Sequence, residues 1–473
     1  MFPSSLTLLS LLSASVLTSA CAPPSTYHNW VKREHADLAR RAAASSSVTS
    51  AAYISSTASG HATKSKAAAA TSSIATSTVP TYAAGSVPTG LAGAPGLPAL
   101  TSISAANFPP LDKRPPLNSP QMQSWLEEAE LDSVPVIGLT GVGGCGNATF
   151  NADAISKAGP DDNCWWTCGG CTRDADVDSC MDKMHFGVSF DDGPSPNTPR
   201  LLAYLAEHDI KATFFVVGSR AISYPNILQA IHQAGHQISV HTWSHPAMTT
   251  ISNEEIVAEL GWTREVIKTV TGVSPTTWRP PYGDIDDRVR YIALKLGMSA
   301  YQWTVDGTLA FDTQDGEVED PSFGVTAETV VANVRNFYSA AESRDAGFVV
   351  LAHDLYASSV DLAVNQWLPL ALNYTPKMTV EPVITCQKED LTQAYVETWV
   401  ESADKDDNSA AESRDDEAVV IAQQAGSLNS SSSSSHGKGK GKDGDEGSAA
   451  AGRSIALVAS TGAAVMMGLA LLA

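Results

Sequence analysis

The central part of the chain alternates between short apolar runs and longer stretches with helical spacing. Six runs rich in Val, Phe, Ile and Thr have the length of buried parallel strands; they are residues 185–190, 212–217, 237–241, 276–279, 298–302 and 347–353. The stretches between them favour helices, at residues 199–207, 225–234 and 286–296 and from Ser252 onward. At Ser252 a Ser-Asn-Glu-Glu sequence matches a capping box, and apolar residues follow at helical spacing. This alternation predicts an α/β fold with a parallel sheet, either open or closed into a barrel.

Low-complexity segments flank this block on both sides. Residues 43–110 are dominated by Ser, Thr, Ala, Pro and Gly, and have too few large apolar side chains to offset chain entropy. We therefore expect a disordered, O-glycosylated stalk there and a spacer in the serine-rich stretch near the other end. The predicted divisions are a signal peptide at 1–22, a stalk at 23–119, a cysteine-containing segment at 120–183, the main domain at 184–400, an acidic and Ser/Gly/Lys-rich spacer at 401–454 and a hydrophobic tail at 455–473.

The two ends of the chain resemble targeting signals. Residues 6–17 are apolar and lead to Ala20-Cys21-Ala22, a pattern typical of a signal peptide and its cleavage site. Residues 455–473 are apolar or small and follow a hydrophilic stretch, which is typical of a GPI attachment signal. A membrane span is the alternative, but no basic residues follow the apolar run to hold it in place. We expect a secreted protein, GPI-anchored to the outer face of the plasma membrane and associated with the cell wall.

The charge balance limits the kinds of partner. Lys and Arg total 30 against 51 Asp and Glu, giving a formal net charge of -21 and a sequence pI near 4.8. Nucleic-acid-binding proteins carry the opposite charge on their binding surfaces. We therefore expect no nucleic-acid partner.

The cysteines agree with export. Cleavage after Ala22 leaves six, an even set that an oxidising compartment would pair: Cys145, Cys164, Cys168, Cys171, Cys180 and Cys386. Cleavage after Ala20 would leave Cys21 as well. A zinc knuckle is the competing interpretation of the crowded central cysteines, but secretion and the lack of an interleaved histidine favour disulfides. Connectivity stays open. Three sequons, at Asn147, Asn373 and Asn429, are candidate N-glycosylation sites and indicate exposure at most; Pro376 disfavours the second.

Two predicted strands end in groups that bind metals. The first ends in Asp191-Asp192-Gly-Pro, and the third ends in His241-Thr-Trp-Ser-His245. Two imidazoles at this spacing can reach one divalent ion together with Asp192, which would leave positions open for water and substrate. Taken alone, the first sequence is also typical of a turn and the second of surface histidines.

Two other strand ends carry groups suited to hydrolysis. Arg279-Pro-Pro-Tyr282-Gly offers a guanidinium that can pair with a carboxylate, and backbone N–H groups that can donate to a developing oxyanion. His353 follows an apolar strand and could protonate a leaving amine. Four reactive clusters thus lie at the ends of separate strands, the face on which barrel enzymes build their sites.

Taken together and in this order, the four motifs resemble those of the NodB-homology polysaccharide deacetylases, the fourth carbohydrate esterase family, over residues 185–380. The resemblance implies a distorted (β/α) barrel. With the cysteine-rich segment, the stalk and the tail, the chain is similar to fungal chitin deacetylases, which implies chitin or a related N-acetylglucosamine polymer as substrate. Another acetylated glycan, such as xylan or peptidoglycan, and an inactive wall-binding protein are the alternatives.

The resemblance also implies a role for each motif residue. One divalent metal ion, Zn²⁺ or Co²⁺, would be bound by Asp192, His241 and His245. The acid and base would be His353 and Asp191, with Asp191 oriented by Arg279. The substrate would be contacted by the backbone N–H of Tyr282, at the oxyanion, and by Leu351, at the acetyl methyl.

One motif departs from the family pattern. The family places an aspartate that tunes the general-acid histidine in a sequence that begins like Trp303-Thr-Val-Asp306, but the residues after Asp306 differ here. Asp306 is the candidate that this motif offers. The nearest substitute is Asp312-Thr-Gln-Asp315-Gly, which would need a longer loop to reach the site. The partner of His353 therefore stays open.

Overall fold

The computed structural model of the protein describes residues 78–399. Its helices are α1 Pro120–Ala129, α2 Ala148–Ser156, α3 Thr198–Glu207, α4 Gly218–Ser223, α5 Pro225–Gln233, α6 Asn253–Thr271, α7 Asp287–Lys295, α8 Ala327–Ala341, α9 Ala357–Leu362, α10 Leu368–Leu372 and α11 Val383–Cys386. Its strands are β1 His185–Gly187, β2 Ser189–Asp191, β3 Thr213–Val216, β4 Gln237–Val240, β5 Thr277–Trp278, β6 Ser299–Ala300, β7 Val305–Asp306, β8 Leu309–Ala310, β9 Phe348–Val349 and β10 Thr379–Glu381.

The parallel strands close into an irregular barrel. Five of them form one sheet, in the order β2-β3-β4-β5-β6, and three form another, in the order β10-β1-β9. Only Val188 separates β1 from β2, and the segment after β9 runs parallel to β2 through a bridge between Asp191 and His353. On the other side, the N–H of Thr304 donates to the carbonyl of Val349 at 3.0 Å, which joins the segment after β6 to β9. The distorted barrel expected from the sequence is therefore confirmed.

The predicted elements match the observed ones closely. All six predicted strands and all four predicted helices are present. The capping box at the start of α6 is formed, because Ser252 accepts from the N–H of Glu255 while the Glu255 carboxylate accepts from the N–H of Ser252. The sequence did not predict β10 or the antiparallel β7–β8 hairpin. These strands are two or three residues long and lack an apolar run.

The apolar core lies between the sheet and the surrounding helices. Phe190 and Phe214 pack at 5.7 Å between ring centroids, and Phe190 stacks on Trp367 at the same separation. All three side chains are almost completely buried. Burying large rings in this way stabilises the strands whose ends carry the reactive groups.

Three disulfides hold the cysteine-containing segment and the end of the barrel. They are Cys145–Cys168, Cys164–Cys171 and Cys180–Cys386. The prediction that these six cysteines pair is confirmed, and the first two bridges lie within the cysteine-containing segment. The third joins residues 206 positions apart and connects the chain just before β1 to the end of α11.

Residues 78–118 pack against the barrel domain, and we call them the N-terminal strap. Leu91 and Leu97 are 3% and 2% exposed, and the carbonyl of Pro98 accepts a hydrogen bond from Gln229 on α5. The prediction of a disordered stalk up to residue 119 is therefore wrong for this part. The strap has too few apolar residues to build a core of its own, but single side chains fill sites on the helices of the domain, which a composition argument does not detect.

Several predicted segments lie outside the described residues. These are the signal peptide, the stalk before residue 78, the spacer and the hydrophobic tail. Among residues 78–399, none of the helices is both long enough and apolar enough to cross a bilayer.

Candidate active site

The C-terminal ends of four strands bring the predicted reactive groups together. Asp191 is the last residue of β2, His241 directly follows β4, and Arg279 directly follows β5. His353 lies four residues beyond β9, where it forms a bridge with Asp191. Because parallel strands end on the same side of a barrel, these side chains share one rim.

Asp192, His241 and His245 form a buried cluster that could hold a metal ion. One ligand atom of each lies within 4.8 Å of the others. The Asp192 carboxylate is 3.5 Å from Nε2 of His241 and 3.1 Å from Nε2 of His245. Tetrahedral zinc with bonds of about 2.0–2.1 Å separates neighbouring ligand atoms by about 3.4 Å. The donor spacing therefore fits one such ion.

The hydrogen bond made by Nδ1 of His241 leaves Nε2 of the same ring available to bind a metal. Its Nδ1 lies 2.8 Å from the backbone carbonyl of Arg279, and a carbonyl oxygen can only accept. Nδ1 must therefore carry the proton, which leaves the Nε2 lone pair directed at the cluster. Metal-binding histidines usually have this second partner. The corresponding atom of His245 lies 3.1 Å from the hydroxyl of Tyr282.

Four residues of the site adopt left-handed backbone conformations. They are Asp192, Thr242, His245 and Tyr282, with φ between 61° and 74°. Each such non-glycine residue costs on the order of 1–3 kcal/mol and persists only where its surroundings fix it. The site is thus built from backbone turns that the fold holds in place.

The turn that carries Asp192 is fixed by Asp354. A Cβ added to Gly193 would lie 2.2 Å from the Asp354 carboxylate, so only glycine fits there. Thr198 donates to the same carboxylate, and the N–H of Asp354 donates to the carbonyl of Asp191. Burial raises the pKa of Asp354 to about 7, and the Thr198 hydrogen bond opposes the rise.

Arg279 holds one oxygen of Asp191. Its Nη1 donates to Oδ1 of Asp191 at 2.8 Å and to the Ser189 hydroxyl at 2.9 Å. Its other nitrogens donate to the carbonyls of Tyr301 and Gln302, so the fully buried guanidinium is fixed on three sides. The second Asp191 oxygen lies 3.8 Å from Nε2 of His241 and faces the cluster.

Asp315 is the partner of His353. Its Oδ1 lies 2.8 Å from Nδ1 of His353, and its Oδ2 accepts from the backbone N–H of the same residue at 3.0 Å. Asp315 is fully buried. Burial alone would raise the pKa of Asp315, but the nearby His353 charge and hydrogen bonds from His353 and Thr313 hold the pKa below its ordinary value. The carboxylate is thus kept ionised beside the ring.

Asp306 does not belong to this site. It lies on the exposed β7–β8 hairpin, its side chain is 52% exposed, and its carboxylate pairs with Arg344 at 2.8 Å. The expected role of Asp306 beside the general-acid histidine is therefore corrected. The hairpin carries Asp306 outward, and the chain turns back along the segment after β9 only later, where Asp312 bridges Leu351.

Tyr282 and Leu351 complete the rim. Tyr282 is half-buried, and its loop is held by Asp284, whose carboxylate accepts from Trp165, Thr167 and both the N–H and hydroxyl of Thr249. Trp165 and Thr167 belong to the disulfide-bonded segment, so that segment supports the loop. Leu351 is 5% exposed, on the strand segment that leads to His353.

Sequence analysis missed three contacts that the structure reveals. The Ser189 hydroxyl binds Arg279, the Tyr282 hydroxyl contacts His245, and Asp315 binds His353. For Asp315 a signal existed, since it was the nearest alternative aspartate. The other two side chains carry no pattern that would mark them.

Comparison with known proteins shows what this chain is similar to. Residues 178–301 match the family model described as polysaccharide deacetylase. Chitin deacetylase 1 of Cryptococcus neoformans var. grubii is 48% identical over 312 residues, which are 65% of this chain and 64% of that relative. Chitin deacetylase 2 of the same organism is 36% identical over 265 residues, which are 54% of this chain and 55% of that relative. The chain thus spans less than two thirds of the length of these curated relatives.

A solved structure also resembles the chain. The chitin deacetylase of the fungal pathogen Colletotrichum lindemuthianum is 24% identical, with a TM-score of 0.41 over 49% of this chain and 98% of that chain.

Proposed function

We propose that this chain hydrolyses the N-acetyl groups of chitin to give chitosan and acetate and so remodels the cell wall. The premise is that residues 178–301 belong to a polysaccharide deacetylase domain. The chitin deacetylases to which it is similar support chitin as the substrate. The observation that carries the proposal is the convergence of three groups at one barrel rim. These are the Asp192, His241 and His245 cluster, the Asp191–Arg279 pair and the His353–Asp315 pair.

A divalent ion fits the donor set of the cluster. Two imidazole nitrogens and one carboxylate oxygen, all buried, are the ligand types found in catalytic zinc sites. When bound, such an ion polarises the acetamide carbonyl and lowers the pKa of water. The ligand types suit Zn²⁺ and Co²⁺ alike.

Asp191 acts as the general base in this proposal. Arg279 holds its Oδ1, which leaves Oδ2 to accept a proton from the attacking water. The water oxygen adds to the acetamide carbon, and negative charge develops on the carbonyl oxygen. The backbone N–H of Tyr282 donates to that oxygen.

His353 acts as the general acid. Its ring protonates the amide nitrogen as the C–N bond breaks, and the products are acetate and a free amine on the sugar. Asp315 keeps the Nδ1 proton of the ring in place, so that Nε2 is the nitrogen that carries the transferred proton. Leu351 contacts the acetyl methyl in this arrangement.

The proposal extends to the location of the protein. A signal peptide at residues 1–22, a stalk before the strap, a spacer at 401–454 and a GPI signal at 455–473 would place the barrel domain outside the cell, near the wall polymer. The three disulfides support an oxidising compartment.

The test is acetate release from N-acetylglucosamine oligomers, measured by mass spectrometry before and after chelation. We expect chelator to abolish release, added zinc or cobalt to restore it, and Asp191→Asn and His245→Gln to abolish it. His208→Gln is the matched control, because His208 is an exposed histidine directly after the C-terminal end of α3 and its variant should retain activity.

Two outcomes would contradict the proposal. Undiminished acetate release by Asp191→Asn would mean that the base lies elsewhere. Release from acetylated xylan or peptidoglycan but not from the chitin oligomers would keep the reaction and replace the substrate.

A further inference from the structure

The loop between the two candidate histidine ligands contains a completely buried tryptophan. Trp243 lies between His241 and His245, and two residues of this loop, Thr242 and His245, have left-handed backbones. Such a loop holds its shape only where the surroundings fix it. The contacts of Trp243 therefore bear on the spacing of both histidines.

One side of this loop is held by Glu259 of α6. Its carboxylate accepts hydrogen bonds from the N–H groups of Trp243 and Ser244, at 2.8 Å and 2.7 Å, and from the Ser244 hydroxyl. The start of α4 packs closely against the same loop, since a Cβ on Gly218 would lie 2.5 Å from the Trp243 ring.

Two further contacts of Trp243 come from the N-terminal strap. Phe108 stacks on the Trp243 ring, with 6.2 Å between centroids and 10° between planes, and packs edge-on against Trp262 at 6.1 Å. The carbonyl of Pro110 accepts from the indole N–H of Trp243 at 3.0 Å. Two residues later, Asp112 accepts from Ser219 on α4, which anchors the strap beside the loop.

We propose that the N-terminal strap is a positioning element for the metal site and acts through Phe108 and Pro110 on Trp243. This inference rests on the proposed metal-binding role of Asp192, His241 and His245. Among the described residues, the strap supplies both the stacking partner of the Trp243 ring and the carbonyl that accepts the indole hydrogen bond. Without them the buried indole loses its acceptor and the loop loses its support on the side of the strap. The histidines then depart from the spacing that one ion requires.

The strap itself offers a matched control. Leu91 is 3% exposed and belongs to the same core, but lies near the N-terminal ends of the strands, where the neighbouring Thr89 carbonyl is 3.1 Å from a Cβ placed on Gly235. Leu91→Ala removes buried apolar surface from the strap without touching Trp243. It therefore reports the effect of weakened strap packing alone.

The experiment measures zinc affinity of the full chain by competition with a chromophoric chelator, together with thermal unfolding of the metal-free protein. Residues that support metal ligands typically contribute about 10–100-fold in metal affinity. We expect Phe108→Ala to weaken zinc binding by about tenfold or more, at the lower end of that range. Leu91→Ala should lower the unfolding temperature but keep zinc affinity within about twofold of the wild type. Phe108→Tyr, which keeps the stacked ring, should retain tight binding.

The possible outcomes separate this inference from the proposed function. If Phe108→Ala binds zinc as tightly as the wild type does, the proposed role of the strap is wrong. It is also wrong if Leu91→Ala weakens zinc binding as much as Phe108→Ala does. Absence of zinc binding in the wild type overturns the metal site and this inference with it. If Phe108→Ala does not fold, Phe108→Leu replaces it, because leucine keeps the apolar volume while removing the stacked ring. Its zinc affinity is then compared with those of the wild type and Leu91→Ala.

Discussion

Replacing Asp315 by asparagine should disable the general acid while leaving the fold intact. Both Asp315 oxygens accept from His353, one from the ring and one from the backbone N–H. Either orientation of an asparagine amide therefore places an NH₂ group against an N–H donor. The site is fully buried, so solvent does not screen the loss. Hydrogen bonds to charged groups contribute about 1.5–3 kcal/mol, which corresponds to a fall in kcat of about 10–100-fold.

The assay is steady-state acetate release from chitin oligomers across a range of pH. We expect KM to change little, because Asp315 contacts the histidine and not the sugar. The alkaline limb of the rate profile should move to lower pH by about one to two units, since no carboxylate then stabilises the protonated ring.

Asp306→Asn provides the control for this prediction. Asp306 is half-exposed and its ion pair with Arg344 lies at the surface, where such pairs contribute about 0–1 kcal/mol. Its variant should keep kcat within about twofold of the wild type. A large fall in Asp306→Asn with no fall in Asp315→Asn would refute the assignment of the histidine partner.

Three other predictions concern stability and the oxyanion loop. Burial, aided by the charge of Lys211, lowers the pKa of His236 to about 3, so the unfolded chain alone takes up a proton as the pH falls. This group should therefore lower the free energy of unfolding by about 2 kcal/mol between pH 7 and pH 5. Over the same pH change, the unfolding temperature of His236→Asn should fall less than that of the wild type, and an equal fall would contradict this. Replacing Cys180 and Cys386 by alanine should cost about 3–5 kcal/mol in urea unfolding, because the bridge closes a long loop, and an unchanged midpoint would argue against the bridge. Asp284→Asn should lower kcat by about tenfold or more by loosening the Tyr282 loop; full activity would show that the loop holds without it.

The barrel and most of the candidate site could be predicted because position along the chain determines position on the rim. Asp192 and His241 directly follow strands, and His245 comes four residues after His241. The end of a buried parallel strand lies at the same edge of the barrel as the ends of its neighbours. The proximity of these three residues could therefore be predicted without knowing the paths of the loops that connect the strands.

Asp315 could not be assigned in this way. It begins a short 3-10 helix, whose position depends on the β7–β8 hairpin and on backbone hydrogen bonds of Phe311 and Thr313 to Leu351. Such tertiary contacts leave no periodic signal in the sequence. Spacing after Trp303 favoured Asp306, which the hairpin carries outward.

The support given by the strap affects how the domain can be shortened. The stretch that matches the deacetylase family begins at residue 178, yet Phe108 covers Trp243 and Trp262, and the Cys145–Cys168 bridge lies in the segment that braces Asp284. A recombinant fragment starting at residue 178 would expose these aromatic rings to water and favour aggregation. A fragment that begins before residue 78 keeps them covered, so expression boundaries for this protein belong well upstream of the matched motifs.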